Sequence, residues 1–206
     1  RAGRVGASDA ADVTASARGS APSATRTGLV VRIATERLTG RPTANGYTNA
    51  DMQRGHDLEP AIIAQVEADL GELVTRVGYL TDDDWLIGLS PDGVLSDGSL
   101  LEVKAPRAHN VWLQHKAAQG KHGLAAVPSE YRNQVLHGLL VKADAPRVVF
   151  AAFSPDLPEP LRLFTATVER ANVTSEIEQY RVALGLFLLD VDAELDAMRR
   201  FIAAKE

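Results

Sequence analysis

A turn followed by a short charged strand, in the middle of the chain, carries residue types that could hold a divalent cation. Residues 90–93 have the sequence Ser-Pro-Asp-Gly, which predicts a turn, and residues 100–104 have Leu-Leu-Glu-Val-Lys, which predicts a strand. Because side chains alternate along a strand, Glu102 and Lys104 project from the same face. A hairpin would bring Asp92 back beside Glu102. Two close carboxylates repel each other, and a hard cation such as Mg²⁺ or Mn²⁺ relieves that repulsion.

Lys104 gives this cluster a hydrolytic interpretation. Its ammonium group could orient or deprotonate a water that the cation activates, or offset negative charge on a phosphorane-like transition state. Together these groups suit hydrolysis of a phosphodiester. The alternative is an exposed Glu–Lys pair on an edge strand, which would contribute little. Asp92 behind a short hairpin, together with Glu59 upstream, favours the catalytic interpretation.

Alternating helices and strands must position these residues. Apolar spacing and stop signals predict helices over residues 8–16, 28–39, 111–118, 129–141 and 174–204. A further helix is predicted to begin after a cap at Asn49 or Asp51 and to end at residue 70, and Ser129 is predicted to cap the helix over 129–141. Short apolar runs between turn signals predict strands over residues 74–79, 85–89, 93–95, 100–104, 147–153 and 161–168. Strands enclosed by helices predict an α/β domain with a mixed sheet.

We predict a single nuclease domain over residues 1–206. A helical N-terminal arm covers residues 1–50 and includes a flexible loop over 16–28, which is rich in Ala, Ser, Thr, Gly and Pro. The catalytic core covers residues 51–168, and a C-terminal helix covers 169–206.

Composition excludes several kinds of site. Of the 206 residues, 45% are apolar and 24% are charged, which is ordinary for a globular domain. There is no Cys, which excludes cysteine nucleophiles and thiolate metal sites. No apolar run approaches the roughly 20 residues of a membrane span, so we expect no membrane partner. The net charge of −5 is unusual for a nucleic-acid binder, but a local basic groove can exist on an acidic protein.

Four blocks of sequence, in order, resemble the phage lambda exonuclease family, also called YqaJ-like viral recombinases. They are residues 54–60 (Arg-Gly-His-Asp-Leu-Glu-Pro), 90–93 (Ser-Pro-Asp-Gly), 101–106 (Leu-Glu-Val-Lys-Ala-Pro) and 131–135 (Tyr-Arg-Asn-Gln-Val). The resemblance spans about residues 1 to 168. It implies a PD-(D/E)xK restriction-endonuclease-like core, with a central mixed β-sheet flanked by helices.

The resemblance also implies an activity. It is that of a Mg²⁺-dependent exonuclease, with Mn²⁺ as a substitute, that degrades linear double-stranded DNA from its ends in the 5′ to 3′ direction. The 3′ single strands left behind would serve phage recombination with a single-strand annealing protein. Members of the family can form a ring-shaped trimer. A phage or prophage protein of this kind is expected in the cytoplasm of a bacterial host.

Residue roles follow from the same resemblance. Asp92, Glu102 and the Val103 carbonyl would hold metal, and Glu59 would help at a second metal position. Lys104 would act on the nucleophilic water. Two residues of the following helix would support the site and the DNA: Gln134 and Tyr131.

The family also uses a small pocket for the 5′ phosphate of DNA, built from an Arg and hydroxyl residues. Ser90 matches one of these residues, and the N-terminal block of residues 1–8 supplies Ser8 with Arg1 or Arg4. Gly6 stands where a hydroxyl residue is usual, which bears on the strength of the preference for a 5′-phosphorylated end.

Two alternative functions are compatible with parts of the same pattern. An endonuclease or a Cas4/RecB-like nuclease could share the fold, but Cas4-type proteins commonly carry iron–sulfur cysteines, which this chain lacks. A non-catalytic DNA-binding module could also share it, but such a module tends to lose one member of the carboxylate and lysine set. The apolar stripe of the last helix is consistent with either a core or an oligomer interface.

Several other residues have less specific interpretations. The five His residues do not form a tight metal-binding spacing. Trp85 is expected in core or strand-edge packing, whereas Trp112 could pack or stack on a base. Residues 82–84 (Asp-Asp-Asp) are expected in a solvated turn, because consecutive carboxylates do not converge on one ion. Basic residues around 115–122 could contact DNA or be solvated.

Overall fold

The structure, a computed structural model, describes residues 1–16, 23–43 and 50–205. Its helices are α1 (Ala10–Val13), α2 (Ala24–Thr39), α3 (Ala50–Leu70), α4 (Ala108–Ala117), α5 (Ser129–Val141), α6 (Glu159–Arg162) and α7 (Thr174–Ala203), with 3₁₀ helices at Ala7–Asp9, Gly123–Ala125 and Arg170–Asn172. Its strands are β1 (Val5–Gly6), β2 (Val74–Thr75), β3 (Leu80–Asp82), β4 (Ile87–Leu89), β5 (Gly93–Leu95), β6 (Leu100–Lys104), β7 (Arg147–Phe153) and β8 (Leu163–Glu169).

The larger sheet has β6 at its centre. The strand order is β2-β5-β6-β7-β8, and β6 runs antiparallel to β5 but parallel to β7. The sheet is therefore mixed, and helices cover both of its faces, which confirms the predicted α/β class. Because β6 has a partner on each side, the alternative of a charged pair on an edge strand is wrong.

Side-chain alternation along β6 divides the core into two parts. Leu101 and Val103 pack against Ile62 and other apolar residues of α3. Leu100, on the opposite face, belongs to the larger cluster that includes α5, α7 and Phe150 of β7. Glu102 and Lys104 share the face of Leu100, so they point towards α5 rather than α3.

A smaller sheet brings the N-terminal segment to the turn before β5. Its strand order is β1-β4-β3, and the parallel pairing of β1 with β4 aligns Val5 with Ile87. The Glu36 carboxylate of α2 is 3% exposed and accepts the backbone N–H of Gly3, at 2.9 Å. Residues 1–8 are thereby fixed beside residues 88–90.

The structure corrects several predicted boundaries. α2 begins at Ala24 rather than at residue 28, because the Ser23 side chain accepts the N–H of Arg26 and caps the helix. The flexible loop predicted over 16–28 is therefore wrong for residues 24–28, and residues 17–22 lie outside the described residues. Ser129 is the first residue of α5 rather than its cap, which is Pro128. Of the two residues offered as the cap of α3, Asn49 lies outside the described residues and Asp51 is inside the helix.

The observed strands differ from the predicted ones in length more than in position. The segment predicted as one strand over 74–79 ends at Thr75, and a separate strand follows at Leu80–Asp82. β4 starts only at Ile87, since Leu86 takes a positive φ of 53° in the preceding turn. The strands predicted over 93–95, 100–104 and 147–153 are confirmed. Within the described ranges, none of the helices has both the length and the hydropathy that a membrane crossing requires.

Candidate active site

The hairpin of β5 and β6 brings the two predicted metal-holding carboxylates together. Its register pairs Gly93 with Leu101, so the preceding Asp92 comes level with Glu102. Asp92 Oδ2 accepts the backbone N–H of Val103 at 2.7 Å. The turn sequence thus serves the site directly, because it returns Asp92 to the strand that carries Glu102.

Two donors from different elements bind the Glu102 carboxylate. Lys104 Nζ lies 2.5 Å and Gln134 Nε2 2.6 Å from the same oxygen, Oε1. The Glu102 side chain is 11% exposed, so these contacts are largely shielded from solvent. Tyr131, one turn before Gln134 on α5, places its ring 5.1 Å from Lys104 Nζ. Lys104 is therefore held between a carboxylate and an aromatic face.

Burial raises the pKa values of both carboxyl groups, and the charges of neighbouring carboxylates add to this at Asp92. Burial first, and then the negative charges of Glu102 and Glu59, raise the pKa of Asp92 to about 7. Burial also raises the pKa of Glu102, against the lowering effect of Lys104 and Gln134. Burial would lower the pKa of Lys104, but Glu102 and Asp92 outweigh it and the pKa is raised. Lys104 is thus an ammonium ion, but its charge does not return the pKa values of the two carboxyl groups to their ordinary range.

Glu59 lies on α3, on the opposite wall of a groove of about 490 Å³. The groove is lined by His56 and Glu59 of α3, Asp92 of the turn, Lys104 of β6 and Tyr131 of α5, among others. Arg76, which follows β2, places a guanidinium nitrogen 3.1 Å from Glu59 Oε1. Sequence reasoning missed Arg76, since no local pattern relates it to α3.

The donor set suits a hard divalent cation, although the carboxylates have other partners. Among the described residues, no three His, Asp or Glu side chains are grouped closely enough to form a metal site as they stand. As they stand, Glu102 is bound by Lys104 and Gln134, while Glu59 is bound by Arg76. Carboxylate oxygens are the ligands that Mg²⁺ prefers. The raised pKa of Asp92 shows that added positive charge would be favourable there.

A second cavity, of about 440 Å³, lies on the N-terminal side of the site. Arg1 donates to Ser90 Oγ at 2.6 Å and lies 4.8 Å from the Tyr79 ring, and Ser8 lines the same cavity. Gln134 also lines it, which connects the cavity to Glu102. Three of the predicted phosphate-pocket residues are thus together.

The other two predicted DNA-binding residues, Arg4 and Tyr131, differ from these three in their partner or their location. Arg4 lines the same cavity, but its guanidinium is paired with Asp83 Oδ1 at 2.7 Å. Tyr131 belongs to the groove beside Glu59 and Asp92 rather than to this cavity. Two residues of the cavity wall that sequence reasoning missed are Arg32 and Tyr79.

The remaining sequence features take structural roles. Trp85 packs against the core, and Asp82 Oδ1 at the end of β3 accepts the Trp85 N–H across the turn formed by residues 83–86. His137 is fully buried, and burial lowers its pKa to about 4. Its Nε2 lies 3.1 Å from the Gly88 carbonyl oxygen and its Nδ1 lies 2.9 Å from the Tyr180 hydroxyl. The imidazole therefore joins α5, β4 and α7. Trp112 is 44% exposed on α4.

Comparisons with known proteins identify a family and similar structures. A family model described as a YqaJ-like viral recombinase domain matches residues 1–145. An alkaline exonuclease (LHK-Exo) from Laribacter hongkongensis is 30% identical with a TM-score of 0.78, over 100% of this chain and 96% of that one. The structure of LHK-Exo in complex with dAMP is similar at 29% identity and a TM-score of 0.78, over 99% and 95% of the two chains.

A more distant structure shares the fold. A phage-related exonuclease from Haemophilus somnus 129PT has a TM-score of 0.67 at 15% identity, over 98% of this chain and 97% of that one. No curated protein matches the chain. The α/β architecture is thus that of phage-type exonucleases with the restriction-endonuclease-like fold.

Proposed function

This chain belongs to the family of YqaJ-like viral recombinase domains, and we propose that it is a metal-dependent exonuclease of linear double-stranded DNA. The family and the similarity to an alkaline exonuclease support a DNA exonuclease. The observation that carries the proposal is the grouping of Asp92, Glu102 and Lys104 at one end of the β5–β6 hairpin, with Gln134 fixing Glu102.

In this proposal Asp92, Glu102 and the Val103 carbonyl hold Mg²⁺, with Mn²⁺ as a substitute, and Glu59 contributes to a second metal position. A bound ion of this kind lowers the pKa of the attacking water and stabilises negative charge on the phosphoryl oxygens. Glu59 and Glu102 each have a cationic partner that must share or release the carboxylate when metal enters.

The side chains of the protein orient the reactants. Lys104 remains protonated because Glu102 and Asp92 raise its pKa, so its ammonium group can donate to the attacking water or to a phosphate oxygen. The Tyr131 ring limits its movement, since it lies 5.1 Å from Nζ. Gln134 donates to Glu102 and thereby fixes the orientation of that carboxylate. We therefore assign Gln134 a positioning role.

The cavity beside Gln134 supports a preference for 5′ ends. Arg1, Ser8 and Ser90 present a guanidinium and two hydroxyl groups, which suit a terminal phosphate. A 5′ phosphate in this cavity would place the first linkages of that strand towards Glu102, so degradation would proceed from 5′ to 3′. Gly6 adds no hydroxyl group to the cavity.

The wider role that we propose follows from the family. The 3′ single strands left by digestion would be substrates for an annealing protein in phage recombination. We also propose a homo-oligomer, a ring-shaped trimer, that encloses the duplex, and a place in the cytoplasm of a bacterial host. Analytical ultracentrifugation would test the trimer independently of the chemistry.

Digestion of end-labelled DNA tests the activity. A linear duplex, labelled at either the 5′ or the 3′ end of one strand, is incubated with Mg²⁺, with Mn²⁺ or with EDTA. Early release of the 5′ label as short products, together with intact closed circles, is expected. Cleavage of closed circles would instead indicate an endonuclease. Binding without loss of DNA under either metal would indicate the non-catalytic module.

Lys104→Ala tests the role of the lysine. We expect the cleavage rate to fall by about 10²- to 10³-fold, because a fixed positive charge at the reacting phosphate is lost, while DNA binding persists. Lys142→Ala is the matched control, since Lys142 also forms an ion pair, with Asp144 at 2.8 Å, away from the groove. A wild-type rate in Lys104→Ala would contradict the assignment.

A further inference from the structure

Arg76 is ion-paired with Glu59, which lines the catalytic groove, and it lies near the turn that carries Asp92. β2 pairs with β5 so that Val74 aligns with Leu95 and Thr75 with Val94. Continued by one residue, this register brings Arg76 level with Gly93. A Cβ added at Gly93 would meet the Val74 side chain at 2.1 Å, which shows how closely the two strands approach there. The strand pairing therefore fixes the backbone position of Arg76 beside the site.

The guanidinium of Arg76 can be released from its partner at small cost. Its side chain is 62% exposed, whereas that of Glu59, 3.1 Å away, is 25% exposed. Ion pairs with one largely exposed member contribute little stability and are screened by salt. The long Arg side chain can thus leave Glu59 without disturbing the fold, while Glu59 stays in the groove wall.

The groove needs positive charge to accept a nucleic-acid strand. Three of its lining residues are acidic, Asp51, Glu59 and Asp92, and the ammonium group of Lys104 is already bound by Glu102. A DNA strand brings one negative charge per nucleotide into these surroundings. A guanidinium binds phosphate oxygens through two parallel hydrogen bonds, which an ammonium group cannot do.

We propose that Arg76 is a substrate-contacting residue, which rests on Glu59 in the free protein and moves to a backbone phosphate of the DNA strand in the groove. This inference rests on the proposed nuclease function. When Glu59 turns to a divalent cation, Arg76 loses its resting partner and becomes available for phosphate. Metal binding at Glu59 and phosphate binding by Arg76 therefore favour each other.

The salt dependence of DNA binding tests this role. All variants are made in the Lys104→Ala background, so that little DNA is consumed during the measurement. Binding of a 5′-phosphorylated duplex is followed by fluorescence anisotropy from low to high salt. Arg76→Ala should bind more weakly, and its plot of log affinity against log salt should flatten by about 0.9, the value for one lost phosphate contact on duplex DNA. Arg76→Lys should keep the slope and lose part of the affinity.

A matched control is available on α7. Arg199 is 61% exposed and lies 3.3 Å from Asp196, so it resembles Arg76 in exposure and pairing. Arg199→Ala should leave both affinity and slope unchanged. An unchanged slope in Arg76→Ala, or an equal change in Arg199→Ala, would overturn the inference.

Measuring metal binding directly distinguishes two roles of Arg76, contact with a DNA phosphate and support of Glu59 alone. In the absence of DNA, Arg76→Ala should bind Mn²⁺ about two- to five-fold more tightly by calorimetry, because a competing cation has been removed from Glu59. Unchanged Mn²⁺ affinity would overturn the link to Glu59. Tighter Mn²⁺ with an unchanged salt slope would mean that Arg76 only holds Glu59.

Digestion of end-labelled DNA by the wild type, combined with these binding measurements, distinguishes failure of this inference from failure of the proposed function. A wild-type protein that never degrades DNA, but loses a phosphate contact in Arg76→Ala, would refute the nuclease assignment and support the role of Arg76. A wild-type protein that binds no DNA at all would refute both.

Discussion

Asp92→Asn should make the protein more stable while removing its activity. Asn has nearly the same shape as Asp and can still accept the N–H of Val103, which Asp92 accepts at 2.7 Å. It carries no charge, however, and so ends the repulsion with Glu102 and Glu59 that helps to raise the pKa of Asp92. The substitution therefore separates the electrostatic cost of the site from its packing.

The size of the effect follows from the shift in pKa. Asp92 titrates near 3.8 when unperturbed and at about 7 in the folded protein. The unfolded chain thus releases this proton first, and folding stability falls as pH rises from about 4 to about 7. At pH 8 the cost is about 4 kcal/mol, and at pH 5 it is about 2 kcal/mol. In the absence of metal, Asp92→Asn should recover most of this cost in folding stability at each pH.

Urea unfolding measures this directly. Wild type and Asp92→Asn are compared at pH 5 and pH 8 in EDTA, with Asp196→Asn, an exposed carboxylate on α7, as the control. The gain in Asp92→Asn should be larger at pH 8. Added Mg²⁺ should stabilise the wild type but not the variant, because ligand binding to the folded state alone raises its stability. A variant less stable than the wild type at pH 8 would refute this account of Asp92.

Three further outcomes are expected. The half-saturating Mg²⁺ concentration for cleavage should rise by up to tenfold for each pH unit below about 7, because the ion must displace the proton of Asp92. A half-saturating concentration that does not vary with pH would contradict this. Gln134→Ala should lower kcat by roughly 10- to 100-fold in steady-state digestion, with little change in KM for DNA. An equally large change in KM would indicate that Gln134 contacts DNA instead. Ser90→Ala should reduce the preference for 5′-phosphorylated over 5′-hydroxyl ends by roughly tenfold, measured as the ratio of the two initial rates of digestion. An unchanged ratio would show that the 5′ phosphate binds outside the cavity that Ser90 lines.

Local sequence signals predicted the β5–β6 hairpin because each part of it is encoded locally. The turn residues before β5 and the alternation along β6 suffice to put Asp92, Glu102 and Lys104 on neighbouring positions. The start of α2 was missed although its signal, Ser23 as a cap, was present, because the surrounding Ala, Ser and Thr residues resemble a loop.

Partners distant in sequence could not be predicted in the same way. The contacts of Gln134 with Glu102 and of Arg76 with Glu59 join elements that only the folded sheet brings together. The resemblance to a family pointed to Gln134, but no periodicity or spacing pointed to Arg76. The cavity wall likewise needs Tyr79 and Arg32, which lie far apart along the chain.

The hydrogen bond from Val103 to Asp92 offers a spectroscopic probe inside the site. The donor is a backbone amide in the middle of a strand, and its acceptor is a side chain whose charge changes near neutral pH. A charged acceptor strengthens such a bond. The amide proton resonance of Val103 should therefore move downfield as Asp92 ionises, and move again when a cation arrives. One isotope-labelled peptide group would then report both events without any substrate present.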